Sequence, residues 1–290
     1  RIRSRGLGDV YKRQGYVGSA VAAHLRRQGH EVVGTTTSPG RLAELCDLVD
    51  HPRLYSADDP MADTSFLDRL DGVLIAMAPT TATFEEDQYE KVYGQAVPAL
   101  VDAIRQRQGR KPLHVAYLSS AGVYGDQSGA ICNELTPPDC SNNANALLAS
   151  AESCILALND ASTQACVLRL GGIYGPGKDI PSYIRSAAGQ SVRKNGNHIN
   201  AWVHLHDIIR GVDFAFGRRL QGIYNLVDDL QFTRRQLSNA LCDDFGLPPV
   251  IWDNHDRPGA RVFNARVSNA RLREIGFQPS VSSMLEPVAA

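Results

Sequence analysis

The sequence has no apolar run near the roughly 20 residues that cross a bilayer, and nothing near its start resembles the apolar core of a secretion signal. It also lacks a dominant charge. Thirty Lys and Arg against 31 Asp and Glu leave a net charge of -1, and the basic residues are scattered singly. That pattern gives no stripe for nucleic acid and no block of charge for a membrane surface. The six cysteines (Cys46, Cys132, Cys140, Cys154, Cys166, Cys242) contain no CxxC pair and stand beside no paired histidine spacing, so neither a metal site nor a disulfide framework is indicated. These absences lead to the expectation of a cytoplasmic protein with reduced thiols, no metal, no nucleic-acid partner and no membrane partner. What is present is an ordinary globular composition. With 290 residues, 43% of them apolar and 21% charged, the chain can bury one large core or two modest ones.

Short β-rich runs alternate with helical patterns. The runs at 31–35, 72–77, 113–118 and 165–170 read as buried parallel strands, and 16–28, 40–48, 84–108 and 143–159 carry apolar positions at helical spacing. Repeated βα units of this kind predict an α/β fold, a doubly wound parallel sheet of Rossmann type. Beyond residue 170 the pattern loosens into Gly- and Pro-punctuated segments with helices expected at 206–217, 232–245 and 269–275. The expected organisation is a dinucleotide-binding domain over 15–170, with 204–226 returning to it, and a smaller C-terminal substrate lobe built from 171–203 and 227–290.

Gly15-Tyr16-Val17-Gly18 ahead of a small-residue helix reads as a phosphate-cradling turn. Glycines there let the backbone approach a pyrophosphate, and the helix offers its N-terminal N–H groups. The third glycine of the usual signature would fall at 13, where the chain has Arg13. Residues 1–14, RIRSRGLGDVYKRQ, lack strand-like alternation and carry Arg1, Arg3, Arg5, Lys12 and Arg13. They read as a foreign segment in the first-strand position, similar to translated sequencing adapter; a natural basic extension is the other reading. About 20 residues past the turn, NAD-preferring chains place a carboxylate against the ribose 2′-OH. Here stand Gly34-Thr-Thr-Thr-Ser38 and Arg41, so Thr36, Ser38 and Arg41 are candidates to receive the 2′-phosphate of NADP, with NAD as the other possible cofactor. Ser38 capping the next helix, with Arg41 solvated, accounts for the same residues.

Taken together, Gly15-Tyr-Val-Gly18, Leu118-Ser-Ser-Ala-Gly-Val-Tyr-Gly125, Arg169-Leu-Gly-Gly-Ile-Tyr-Gly-Pro176 and Val203-His-Leu-His-Asp-Ile208 resemble the extended short-chain dehydrogenase/reductase superfamily, over residues 15 to about 285. The likeness is to its NAD-dependent epimerase/dehydratase-like branch. The resemblance implies that Ala76, Ala78, Pro79 and Ser119 lie along the cofactor, that Gly172 and Ile173 pack near the nicotinamide, and that Ser120 positions the substrate. It also implies a Tyr-x-x-x-Lys pair, whose lysine lowers the phenol's pKa for proton transfer. This chain lacks it. Counting back from Glu152 puts Ala144 and Leu148 at those positions, and Tyr174-Gly-Pro-Gly-Lys178 spans a turn rather than one helix face. Tyr124 becomes a candidate catalytic residue beside Ser120, with His204 and His206 as further groups and Asp207 read as a helix N-cap.

Two functions follow. One is an NAD(P)-dependent oxidoreductase or nucleotide-sugar epimerase-like enzyme acting on a small molecule, a sugar nucleotide or a carbonyl compound. The other is a non-catalytic NAD(P)-binding sensor or scaffold. A homodimer through the helices around 92–104 and 147–158 is implied by the resemblance alone. Substrate identity is assigned to the lobe that carries Asn197, His198, Trp202 and Arg261.

Overall fold

The computed structural model describes residues 2–5, 15–79, 86–108, 111–256 and 261–286, the first of these segments by its backbone alone. Two compact units form. Arg1–Ser119, Ala146–Leu168 and Ile209–Ile223 make the first, and Ser120–Asn145, Arg169–Ile208 and Tyr224–Ala290 the second. In chain order the elements begin with β1 (Ile2–Arg5), α1 (Tyr16–Arg27), β2 (Val33–Thr36), α2 (Leu42–Cys46), β3 (His51–Leu54), β4 (Gly72–Ala76), α3 (Glu86–Tyr89) and α4 (Val97–Arg105). They continue through β5 (Leu113–Ser120), β6 (Asp126–Cys132), α5 (Asn143–Leu156), β7 (Thr163–Leu170), β8 (Gly172–Tyr174), α6 (Ile180–Arg185), β9 (Ser191–Val192) and β10 (Trp202–His204). The last are α7 (Leu205–Arg218), β11 (Gly222–Leu226), α8 (Arg234–Asp243), β12 (Ile251–Trp252), β13 (Asn264–Val267) and α9 (Ala270–Glu274).

The sheet runs in the order β11-β7-β5-β4-β1-β2-β3, and the pairs β1–β2, β1–β4, β2–β3 and β4–β5 are parallel. The chain lays β2 and β3 on one side of β1, then crosses to put β4 and β5 on the other. Strand order therefore reverses between β1 and β4, the position where doubly wound sheets leave a crevice at the carboxyl ends of their strands. Residues 2–5 occupy the first-strand position; the rest of the basic segment, with Arg13, lies outside the described residues.

The core of the first unit explains which strands the sequence displays. Val73, Leu74 and Ile75 of β4, Val115, Ala116 and Tyr117 of β5, and Cys166, Val167 and Leu168 of β7 are all buried, so these strands read as unbroken apolar runs. Val21 and Leu25 of α1 and Val97, Leu100, Val101 and Ile104 of α4 supply helical stripes. The helix expected over 84–108 is interrupted by a π-helical turn at Glu90–Ala96. Pro98 in the first turn of α4 has no N–H to donate to Gly94, which accounts for the irregular ladder there. His114 is buried, with Nε2 2.8 Å from the Leu220 carbonyl, and burial lowers its pKa and keeps the ring neutral. Its edge meets Phe216, whose ring in turn fills the space a side chain at Gly72 would need.

Among the described residues the second unit holds three two-stranded ladders, β8–β10, β9–β12 and β6–β13, each parallel. Its apolar cluster joins Tyr174, Leu230, Leu237, Leu241, Val281 and Met284, with Ile180, Ile184 and Trp202 packed against it. A capping box starts α8: Thr233 Oγ1 accepts from Gln236 N (3.1 Å), and Thr233 N donates to Gln236 Oε1 (2.9 Å). Among the described residues no helix is long and apolar enough to cross a membrane.

Candidate functional site

In the first unit the site is organised by the start of α1. Gly15 adopts φ 77° and ψ 26°, the left-handed region that favours glycine, and among the described residues no side chain caps the helix. Its carbonyl accepts from Ser19 N at 2.6 Å, which closes the first helical turn. The first turn contains no acidic residue, while His24, Arg26 and Arg27 gather in the last, so the charges complement the helix dipole and leave its positive end open to an anion. Gly18 is buried, and a Cβ built on it meets no atom of the described residues within 4 Å. Because β1 and β2 are parallel and α1 connects them, the N-terminal end of α1 lies on the carboxyl-end side of the sheet.

Beyond α1 the candidate residues divide. Thr36, at the end of β2, is buried, and its Oγ1 accepts from Ser38 N (3.2 Å) while keeping its own proton to donate. Arg41 Nε lies 3.4 Å from Glu44 Oε2, so this cation already has a carboxylate neighbour one helical turn on. Ala76 and Ala78 are half-buried and Pro79 buried, just after β4. Ser119 is buried and donates to Glu152 Oε1 at 2.6 Å, which ties the end of β5 to α5.

The second unit carries the other candidates. Ser120 Oγ accepts from Gly122 N (3.1 Å) and caps the 3-10 turn Ala121–Tyr124, an arrangement that keeps its O–H proton for another acceptor. Tyr124 is fully enclosed. Its hydroxyl stands 2.9 Å from both the Asn133 carbonyl and Asn225 Oδ1, the Arg169 guanidinium lies 4.8 Å from its ring centroid, and burial raises its pKa despite that cation. This geometry makes Tyr124 a packing and network residue with no surface toward solvent. Gly172 presses against Trp202, whose ring lies 2.7 Å from where a Cβ would stand, and Ile173 beside it is half-buried.

Ala144 and Leu148, at the positions of the absent Tyr and Lys, are both buried. The Tyr174–Lys178 segment is a turn, Gly175 and Lys178 exchanging backbone hydrogen bonds. Tyr174 itself donates to Asp228 Oδ2 (2.9 Å) and packs edge-on against His204. Burial pushes the Asp228 carboxyl up to about 7, and burial beside that carboxylate raises the Tyr174 phenol.

The capping expectation at α7 needs correction. Asp207 lies inside the first turn of α7, and its carboxylate accepts from Ser280 N, Ser280 Oγ and Val281 N at 2.7–2.9 Å. The capping role passes to His204, whose Nδ1 accepts from His206 N (3.3 Å); burial lowers its pKa and favours the neutral ring this requires. His206 is exposed, with Nδ1 3.0 Å from Ser280 Oγ. One group the sequence did not bring forward is Asn145. It is fully buried at the start of α5 and accepts from Arg261 Nε at 2.9 Å, and its only sequence signal is that it follows Ala144.

Known proteins resemble the chain over nearly its whole length. The uncharacterized protein YLL056C of Saccharomyces cerevisiae is 24% identical over 298 residues, covering 95% of each chain. Among solved structures, MoeE5 in complex with UDP-glucose and NAD superimposes with a TM-score of 0.73 at 19% identity, over 98% of this chain and 94% of that one. UDP-glucose 4-epimerase from Thermotoga maritima, with UDP-glucose, gives 0.72 at 17% identity, over 97% and 93%. Residues 13–226 match a family profile that begins just ahead of the Gly15 turn and ends with the last residue of β11, and by that match the chain belongs to the NAD dependent epimerase/dehydratase family.

Proposed function

We propose that the protein is an NAD(P)-dependent oxidoreductase or epimerase-like enzyme acting on a small molecule that bears a carbonyl or oxidisable hydroxyl group, a sugar nucleotide being the leading class. The observation that carries this reading is the start of α1, a left-handed glycine with no acid in the turn that follows, on the carboxyl-end side of the sheet where strand order reverses. A dinucleotide pyrophosphate fits those donors. When bound, the nicotinamide supplies a hydride donor or acceptor. Thr36 and Ser38 would hold the ribose, and the absence of a carboxylate at the end of β2 favours NADP; Arg41 must share itself with Glu44 to assist. Ser120 binds a substrate oxygen with the proton its own capping bond leaves available.

A second reading, a dinucleotide sensor without turnover, is favoured by one observation: Ala144 and Leu148 fill the places of the missing phenol and ammonium, and Tyr124 is closed. Following nicotinamide absorbance with NADPH and a panel of aldehydes, ketones and sugar nucleotides separates the two. Turnover supports the enzyme, and saturable NADPH binding with no turnover supports the sensor.

A further inference from the structure

Within the second unit, Ser120 and Arg261 meet at the backbone of Gly122, and Asn145 holds Arg261. A Cβ at Gly122 would stand 2.8 Å from Arg261 Nη2 and 3.0 Å from Ser120 Oγ, so glycine is what lets a guanidinium and a hydroxyl come this close. Arg261 Nε donates to Asn145 Oδ1 (2.9 Å), which fixes the plane of the guanidinium. Asn145 is 0% exposed, and its Nδ2, on the carbon that bears the bonded Oδ1, has no hydrogen-bond partner among the described residues. A buried donor left unpaired is costly, so its presence beside a half-buried arginine calls for a reason. Ser120, whose oxygen is engaged by Gly122 N, adds a donor in the form of its O–H.

We infer that Ser120, Asn145 and Arg261 form a subsite for a carboxylate on the substrate, a deepening of the enzymatic reading above that rests on it. An ionised carboxylate has about four lone-pair positions and no proton, which complements guanidinium and hydroxyl donors set side by side. A neutral sugar hydroxymethyl group offers these donors a single uncharged oxygen, a weaker acceptor than a pair of charged ones. The subsite therefore selects an acid, such as a uronate, over the corresponding neutral sugar. Arg261 and Ser120 contact the carboxylate, and Asn145 is a positioning residue that holds the guanidinium.

The test is a calorimetric titration of the full chain with UDP-glucuronic acid and with UDP-glucose, two probes that share the diphosphate and differ in the carboxylate. The wild type is expected to bind the acid about 10-fold or more tightly than the neutral sugar, the worth of a charge-assisted hydrogen bond. Arg261→Gln is expected to erase that preference and to leave the UDP-glucose affinity within about twofold. Equal wild-type affinities, a preference that survives Arg261→Gln, a loss shared by both probes, or no binding of either overturns the assignment. Should Arg261→Gln fail to fold, Arg261→Lys, which keeps the charge but loses the fork held by Asn145, decides: a reduced preference supports the subsite and an unchanged one overturns it. NADPH titrated into the same samples reports separately on the Gly15 turn. NADPH binding without discrimination defeats the carboxylate subsite alone, and discrimination without NADPH binding defeats the dinucleotide reading alone.

Discussion

Gly18→Ala separates a glycine kept for the fold from one kept for a ligand. Position 18 is helical, and a Cβ there meets no described atom within 4 Å, so the methyl group clashes with none of the described residues. Replacing a helical glycine by alanine is worth about 0.5–1 kcal/mol, which raises the melting temperature of a chain this size by about 2 °C. The same methyl projects into the space proposed for the pyrophosphate. Losing one or two charge-assisted backbone bonds there costs about 1.5–3 kcal/mol each and weakens NADPH binding roughly 10- to 100-fold or more. Stability and affinity thus move in opposite directions. Differential scanning calorimetry gives the first quantity and fluorescence titration with NADPH the second. If Gly18→Ala binds NADPH as tightly as the wild type, the backbone at Gly18 does not serve the cofactor. If it melts earlier, the position is already crowded and the packing argument fails.

Further expectations concern stability and pH. Thr233→Ala removes one half of the α8 capping box and should cost about 1 kcal/mol in urea unfolding, with Thr233→Ser largely retaining it. Asp228 holds a proton up to about 7 in the folded chain, whereas an unfolded carboxyl releases it near 4. The native state therefore binds more protons across that window, so stability should fall as pH rises from about 4 to 7, and Asp228→Asn should flatten the slope. An unchanged slope in that variant would place the titration elsewhere. Restoring the family pair as Ala144→Tyr with Leu148→Lys should destabilise by several kcal/mol rather than create activity, because position 148 is buried and the new ammonium would be desolvated. A variant that melts like the wild type and gains turnover would refute this.

How much of this was legible in the sequence depended on burial. β4, β5 and β7 are covered on both faces and stood out as apolar runs, while β3 escaped notice because His51, Arg53 and Leu54 are exposed and Pro52 sits in an edge strand. The turn at Gly15 was readable because its chemistry is local. The grouping of 120–145 with the second unit was not, since it depends on ladders such as β6–β13 between residues far apart in the chain. Capping at α7 misled for a similar reason. Asp207 has the side chain of an N-cap, yet its carboxylate serves Ser280 and Val281, some 70 residues away, and His204 does the local work. Asn145 gave no signal of its own, because an orphaned amide exists only once Arg261 and α5 are assembled.

The central claim is that the N-terminal end of α1 receives a dinucleotide pyrophosphate. A crystal structure determined with NADPH tests it most directly. The account expects phosphate oxygens within hydrogen-bond distance of the backbone N–H groups at Val17 and Gly18. A dinucleotide bound elsewhere, or no bound dinucleotide at saturating NADPH, would contradict it.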